Sequence, residues 1–310
     1  MCFMEIKVIS VNKSERKGTV KEPVTRIELN ASGVLGDAHS GNWHRQVSLL
    51  GTESFRKFEL QAKRPLKYGE FAENITTEGI ILYETHPLDR FKIGEALLEV
   101  TQIGKKCHGD SCAIFKEVGN CVMPKEGIFC RVLKPGPVQA GDAILYQPRN
   151  FRVKVITLSD RAWAGEYEDR SGPRVIQLMT DFFNGLGWKS EIEGVVIPDE
   201  AIQLRQQLSG LEGTDILITT GGTGIGPRDI TVDVVKPMLD KEIPGIMDLI
   251  RLKYGAEKPN ALVSRSVAGV TGKTLVYTLP GSVRAVEEYM AEITKTIRHS
   301  LYMLNGLDLH

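Results

Sequence analysis

Asp215-Ile216-Leu217-Ile218-Thr219-Thr220-Gly221-Gly222-Thr223-Gly224-Ile225-Gly226-Pro227-Arg228-Asp229 is the stretch whose reading decides the fold. A short apolar run empties into a hydroxyl-bearing glycine loop that carries a carboxylate, which predicts a buried strand delivering a ligand loop. Glycine lets backbone N–H groups approach a phosphate closely, the threonines add hydroxyl donors, and Asp229 is of the type that holds a divalent metal against that phosphate. The stretch reads as a nucleotide or phospho-cofactor site, with an ordinary strand-to-helix turn as the alternative.

Strand-like and helix-like segments alternate on both sides of this loop. Strands are expected at 152–158, 192–197, 215–220 and 273–279, and helices at 173–186, 199–208, 231–240, 245–254 and 282–304. That alternation is the pattern of βαβ units, so the expectation is a three-layer α/β/α domain with a mostly parallel sheet. In such a sheet ligands bind at the carboxyl ends of the strands. Each strand here exits into a polar loop: Ser159-Asp160-Arg161, Pro198-Asp199-Glu200, the loop from Gly221 to Asp229, and Pro280-Gly281-Ser282.

The candidate ligand-binding residues are therefore Ser159, Asp160, Gly221, Gly222, Thr223, Gly224, Gly281 and Ser282, with Asp199 and Asp229 as candidate catalytic and Mg²⁺-holding carboxylates. Ser282 is placed to cap the last helix, whose free N–H groups also suit a phosphate. Asp199, at the start of an expected helix, has N-capping as its simpler reading. Gly272-Lys273-Thr274 is not a P-loop: the first glycine of that motif would fall at Val267, and a strand follows the lysine where a helix is needed.

The chain has 310 residues, enough for two cores, and a polar break at Gln147-Pro148-Arg149-Asn150 divides it into expected domains at 1–147 and 151–310. Lys plus Arg equals Asp plus Glu at 39 each, which gives no support for nucleic acid or an anionic membrane as partner. The amino terminus lacks a signal-peptide pattern and no apolar run reaches a membrane-spanning length, so a cytoplasmic protein is expected. Before the break, short strand-like pieces at 5–11, 24–29, 46–50, 96–103 and 127–133, with helical periodicity at 52–60, favour a β-rich, barrel-like or strongly curved domain. The five cysteines, Cys2, Cys107, Cys112, Cys121 and Cys130, all lie in this half and read as thiols.

Ser159-Asp160-Arg161-Ala162 with Gly165, Asp169 and Gly172, then Ile197-Pro198-Asp199-Glu200, Thr219 to Gly224, Arg228-Asp229-Ile230-Thr231, Ile243-Pro244-Gly245 and Leu279-Pro280-Gly281-Ser282 together resemble the molybdopterin adenylyltransferase family. The resemblance covers nearly all of 151–310. It implies Mg²⁺-dependent transfer of AMP from ATP to the terminal phosphate of molybdopterin, Asp199 and Asp229 as the two functional aspartates, a homotrimer, and a molybdenum insertase as onward partner. Ile246-Met247-Asp248 departs from the Phe-Gly-Glu of many relatives, which leaves room for a carrier that binds molybdopterin, or the finished cofactor, without transferring AMP.

In the first half, Gly36-Asp37-Ala38-His39-Ser40-Gly41, Gly69-Glu70-Phe71-Ala72-Glu73-Asn74-Ile75-Thr76, Ile93-Gly94 and Gln102-Ile103-Gly104-Lys105-Lys106-Cys107-His108 resemble the MOSC domain. That likeness implies a β-rich fold, a molybdenum-cofactor ligand, a sulfur donor as partner and Cys107 as sulfur carrier. Two lysines and His108 beside Cys107 favour a thiolate, with a buried structural cysteine as the alternative. His39 and His44, flanking Trp43, are either cleft-lining or packing residues.

Overall fold

The structure is a computed structural model that describes residues 5–17, 19–106 and 122–307. The chain divides at Arg149/Asn150 into two compact units. No helix among the described residues is long and apolar enough to cross a membrane.

The first unit runs β1 (Lys7–Lys13), β2 (Glu22–Val24), β3 (Arg26–Asn30), β4 (Gly33–Val34), β5 (Val47–Gly51), α1 (Thr52–Ala62), β6 (Ile75–Glu78), β7 (Arg90–Ile93), β8 (Ala96–Ile103), α2 (Met123–Glu126), β9 (Ile128–Lys134), β10 (Gly136–Gln139) and β11 (Ile144–Gln147). Eight of these strands form one sheet in the order β11-β7-β8-β9-β5-β6-β1-β2, and β10-β3-β4 form a second. The large sheet curls so that the segment entering β11 returns to β1: Lys7 bridges Ala143, and Ile144 N–H donates to the Ile6 carbonyl at 2.8 Å. Alternation gives the curled sheet one apolar face, since strands such as β7 bury Phe91 and Ile93 and expose Arg90 and Lys92. The enclosed core is Leu49, Ile75, Phe91, Leu98, Val100 and their neighbours. On the other side, α1 lays Phe55 and Phe58 edge-on to Phe71, with ring centroids 5.2 and 5.1 Å apart.

A polar knot lies inside this unit. Lys21 Nζ reaches both oxygens of Asp37 at 2.9 Å, with each side chain 1% exposed. Asn74 Nδ2 donates to Asp37 at 3.2 Å, and Ser48 Oγ donates to Asn74 Oδ1 at 3.1 Å. Burial alone would raise the Asp37 carboxyl, but hydrogen bonds from His39 and Lys21 and the Lys21 charge outweigh it and hold it below the usual range. Nearby Glu73 is fully buried, and its Oε1 accepts from Gly69 N–H and, at 3.0 Å, from Thr76 Oγ1, while Oε2 has no partner. Burial pushes the Glu73 carboxyl up to about 7.

The second unit runs β12 (Asn150–Leu158), α3 (Asp160–Trp163), α4 (Ser171–Gly185), β13 (Lys189–Ile197), α5 (Ala201–Leu208), β14 (Ile216–Thr220), α6 (Thr231–Val235), β15 (Lys241–Glu242), α7 (Pro244–Gly255), β16 (Ala268–Thr271), β17 (Thr274–Leu279) and α8 (Val283–Leu304). One six-stranded sheet results, ordered β13-β12-β14-β17-β16-β15. The first four strands are parallel; β16 runs antiparallel to β17 and β15 antiparallel to β16, which the alternation of strands and helices did not disclose. The reversal is local: Gly272-Lys273 is a two-residue turn that pairs Thr271 with Thr274, and Gly272 has φ +56°. The segment resembling a P-loop end is this hairpin corner.

Side chains alternate across the sheet. On one face Ile156, Leu158, Leu217 and Val276 meet Leu204 of α5 and Val234 and Val235 of α6. On the other, Phe151 stacks with Phe183 of α4 at 5.5 Å and with Trp188 at 4.6 Å, and α4 packs on α8. The helix expected over 231–240 ends at Val235 and passes into a 3₁₀ turn, Lys236–Met238, because Pro237 has no N–H to continue it.

Glu73 makes the first unit pH-sensitive. With its folded-state pKa near 7 and an ordinary value of 4.5, the folded state holds a proton that the unfolded chain releases. Stability is full below about pH 4.5 and falls by on the order of a few kcal/mol as pH rises to 7. Urea denaturation of the whole protein between pH 4.5 and 7.5 should show this decline for the first unit, and Glu73→Gln should flatten it. Asp37 acts oppositely and only in more acidic solution.

Candidate active site

The carboxyl ends of β12, β13, β14 and β17 deliver four loops to one edge of the sheet. After β12, Ser159 caps α3, accepting the Ala162 N–H at 3.2 Å. Asp160 and Asp199 lock the first two loops reciprocally: Asp160 N–H donates to Asp199 Oδ2 at 3.0 Å, and Asp199 N–H donates to Asp160 Oδ1 at 2.9 Å. Asp199 is therefore not a helix cap. Glu200 holds that position on α5, and no side chain caps it. Arg228 then forks onto Asp160, Nε to Oδ2 at 3.0 Å and Nη2 to Oδ1 at 2.6 Å, which ties the glycine loop to the β12 loop.

The glycines are required by space and by dihedral angle. Gly221 has φ +102°, and a Cβ there would sit 2.2 Å from the Leu158 carbonyl oxygen. Thr231 pins the loop from its far end, with N–H to the Gly222 carbonyl at 3.1 Å and Oγ1 to the Gly221 carbonyl at 2.8 Å. Asp229 turns back over the loop, its Oδ2 accepting the Gly226 N–H at 2.8 Å. Thr220 Oγ1 donates to the Pro280 carbonyl at 3.0 Å and draws in the β17 loop, where Ser282 caps α8 by accepting the Ala285 N–H at 3.3 Å.

Two cavities, of about 250 Å³ and 530 Å³, open on either side of this junction and share Gly222, Asp229 and Gly281. Ser159, Asp160 and Asp199 line the smaller, while Thr223, Gly224 and Ser282 line the larger. Gly221 lines neither and acts through the close approach to Leu158. The larger lobe also carries Lys258 and Arg284, both paired with Glu288.

Three carboxylates, Asp160, Asp199 and Asp229, share the smaller lobe with two guanidiniums, Arg161 and Arg228. The Arg228 hydrogen bond holds Asp160 below the usual carboxylate range. Asp199 is raised, first by burial and then by the charges of Asp160 and Asp229, against the lowering by Asp160 N–H and Arg228. This excess negative charge fits a divalent cation. No preassembled cluster of three or more His, Cys, Asp or Glu ligands occurs among the described residues. A hard cation here would rest on Asp199 and Asp229 and fill its shell with phosphate oxygens and water, as Mg²⁺ favours.

Sequence reasoning quoted Asp169 as a motif residue without giving it a role, and did not name Tyr167. Asp169 accepts Thr157 Oγ1 at 2.7 Å, Ser171 N–H at 2.9 Å and Gly172 N–H at 3.1 Å, fixing the start of α4 beside the smaller lobe. An aspartate two residues before Ser-Gly at a helix start was the available signal. Tyr167, which meets Ser159 Oγ at 3.1 Å beneath the Arg161 guanidinium, had none. In the departing segment, Met247 is buried and Asp248 pairs with Arg251 at 2.8 Å; neither lines either of the two lobes.

In the first unit, Cys107, His108, Cys112 and Cys121 lie outside the described residues, as does Cys2. Cys130 is buried, which pushes its thiol far above the reactive range. The Trp43 indole N–H donates to the His39 carbonyl at 3.0 Å, and the His44 carbonyl accepts Thr101 Oγ1 at 2.6 Å, so this segment is bound to its own sheet through the backbone.

Comparison with known proteins identifies the family. Residues 154–299 match the family model described as a probable molybdopterin binding domain, and residues 36–145 match the MOSC domain. A molybdenum cofactor synthesis protein, cinnamon, of Drosophila melanogaster is 33% identical over 48% of this chain and 25% of its own length. A molybdopterin adenylyltransferase of Pyrococcus furiosus is 36% identical over 50% of this chain and 91% of its own. A solved molybdopterin biosynthesis protein from Mycobacterium abscessus is 32% identical over 51% of this chain and 98% of its own, with a TM-score of 0.46. The chain thus spans about a quarter of the Drosophila relative and most of the Pyrococcus one, and through its second unit it belongs to the molybdenum cofactor biosynthesis family of the probable molybdopterin binding domain, joined here to a MOSC domain.

Proposed function

We propose that the second unit transfers AMP from ATP to molybdopterin. The observation that carries this reading is the pair of lobes meeting at Gly222, Asp229 and Gly281: two phosphate-bearing substrates can enter from opposite sides and meet at one carboxylate-lined junction. A relative of which this chain covers 91% is a molybdopterin adenylyltransferase, which supports the same assignment.

The chemistry asks for positioning. The dianionic phosphate of the pterin must approach the α-phosphorus of ATP against charge repulsion, and no covalent nucleophile is needed. Backbone N–H groups of the glycine loop cradle phosphate oxygens, and Ser282 with the amino end of α8 holds the pterin phosphate. Arg228, bound to Asp160, keeps the loop against the β12 segment, so both phosphates meet a fixed set of donors. Asp199 and Asp229 would hold Mg²⁺, which neutralises phosphate charge when bound. The first unit, through its MOSC match, handles the cofactor or its sulfur, with Cys107 as the thiol.

Purified protein given molybdopterin, ATP and Mg²⁺ should yield adenylylated product. Asp229→Asn should lower the rate roughly 10²-fold or more while sparing pterin binding, on the scale of losing one preorganised charge contact. Wild-type binding without product would make the protein a carrier. Ser282→Asp separates the two duties of that residue: an aspartate still caps α8, so stability should hold, but its charge should abolish binding of the pterin phosphate. For the first unit, persulfide labelling from a sulfur donor should be lost in Cys107→Ser; undiminished transfer would exclude that thiol.

A further inference from the structure

Asp229 is held by a residue that lines neither cavity. Arg265, in the segment leading to β16, donates from Nε to the Gly224 carbonyl at 2.8 Å and from Nη2 to the Asp229 carbonyl at 2.9 Å. Its other contacts are to Asp233 of α6, Nη1 to Oδ1 and Nη2 to Oδ2, both at 2.8 Å. Its backbone N–H donates to the Thr223 carbonyl at 2.9 Å. One planar group thus joins both ends of the Gly224-to-Asp229 excursion to the helix that follows.

The spacing inside the loop leaves little slack. A Cβ at Gly224 would lie 2.7 Å from Asp229 Oδ2, and that same oxygen is tied to Gly226 N–H at 2.8 Å. The separation of the Gly224 and Asp229 carbonyls therefore sets where the Asp229 carboxylate stands, and Arg228, its neighbour, is committed to Asp160. We infer that Arg265 is a positioning residue for the transfer site: its guanidinium fixes the width of the glycine loop and so aims Asp229 at the junction of the two lobes. This rests on the proposed AMP transfer for its kinetic consequence, though not for the loop geometry. Lysine carries the charge but lacks the planar fork, so it cannot hold two carbonyls and both Asp233 oxygens together.

The test compares the full-length wild type, Arg265→Lys and Asp233→Asn. In Arg265→Lys, hydrogen exchange of the amides at 224–229 should quicken by about tenfold or more while the rest of the second unit keeps its protection. Its kcat for AMP transfer should fall between about 10-fold and 10²-fold, with KM for ATP and for molybdopterin held within about twofold. Asp233→Asn retains both carbonyl contacts and should cost less than about threefold in kcat. Equal losses in the two variants would show a salt bridge that merely supports the fold, and a rise in KM at constant kcat would show a substrate contact; either overturns the inference. Unchanged exchange at 224–229 in Arg265→Lys overturns it as well. If the wild type transfers no AMP, the functional reading fails, and the exchange comparison still decides the role of Arg265.

Discussion

The second unit depends on one close approach, that of Gly221 to the Leu158 carbonyl. With 2.2 Å between that oxygen and any Cβ, only glycine lets β14 end flush against β12. The Gly221 N–H meanwhile donates to the Leu279 carbonyl at 2.9 Å, extending the ladder toward β17. Three strand ends are brought level in this way, and their loops then meet without any one of them being long. The Asp160–Asp199 exchange and the Arg228 fork can form only because the backbones beneath them are this close.

Level strand ends concentrate charge. Asp160, Asp199 and Asp229 come from three separate loops and share one cavity with two guanidiniums, Arg161 over the Tyr167 ring and Arg228 paired with Asp160. Such an arrangement costs stability unless a cation or a ligand's positive partner compensates it, and sites that store this cost are usually functional. The surrounding hydrogen bonds are accordingly made by backbone: N–H groups of Asp160, Asp199, Gly226 and Ala285 hold the side chains whose charges or hydroxyls face the ligand. Side chains held by backbone in this way keep their positions without help from mobile neighbours.

The first unit uses buried polarity differently. Its sheet closes around an apolar interior, and the Lys21–Asp37 pair with Asn74 and Ser48 lies where three strands and a loop converge. Breaking such a pair is strongly destabilising because the remaining charge cannot reach water. Two motifs that are far apart in the chain, around Asp37 and around Glu73-Asn74, are thus parts of a single structural knot.

Much of this was legible in the sequence. Strands such as β8 and β14 and helices such as α1 and α8 announce themselves by β-branched runs, periodicity and capping residues, which act over a few neighbouring positions. The loops carrying Ser159, Asp199, Asp229 and Ser282 follow from where those strands end. Elements that drew their stability from distant partners were not legible: β6, Ile-Thr-Thr-Glu, is polar in sequence yet central in its sheet, and β15 is a two-residue strand that exists only because β16 lies beside it. The same distinction applies within the site. Residue types and spacing named the candidate side chains for phosphate or metal, because that chemistry is local; the release of Asp199 from capping, the Arg228 fork onto Asp160 and the Arg265 clamp on the glycine loop were decided by the tertiary structure, because each joins groups more than 30 residues apart that only chain folding brings within hydrogen-bond range.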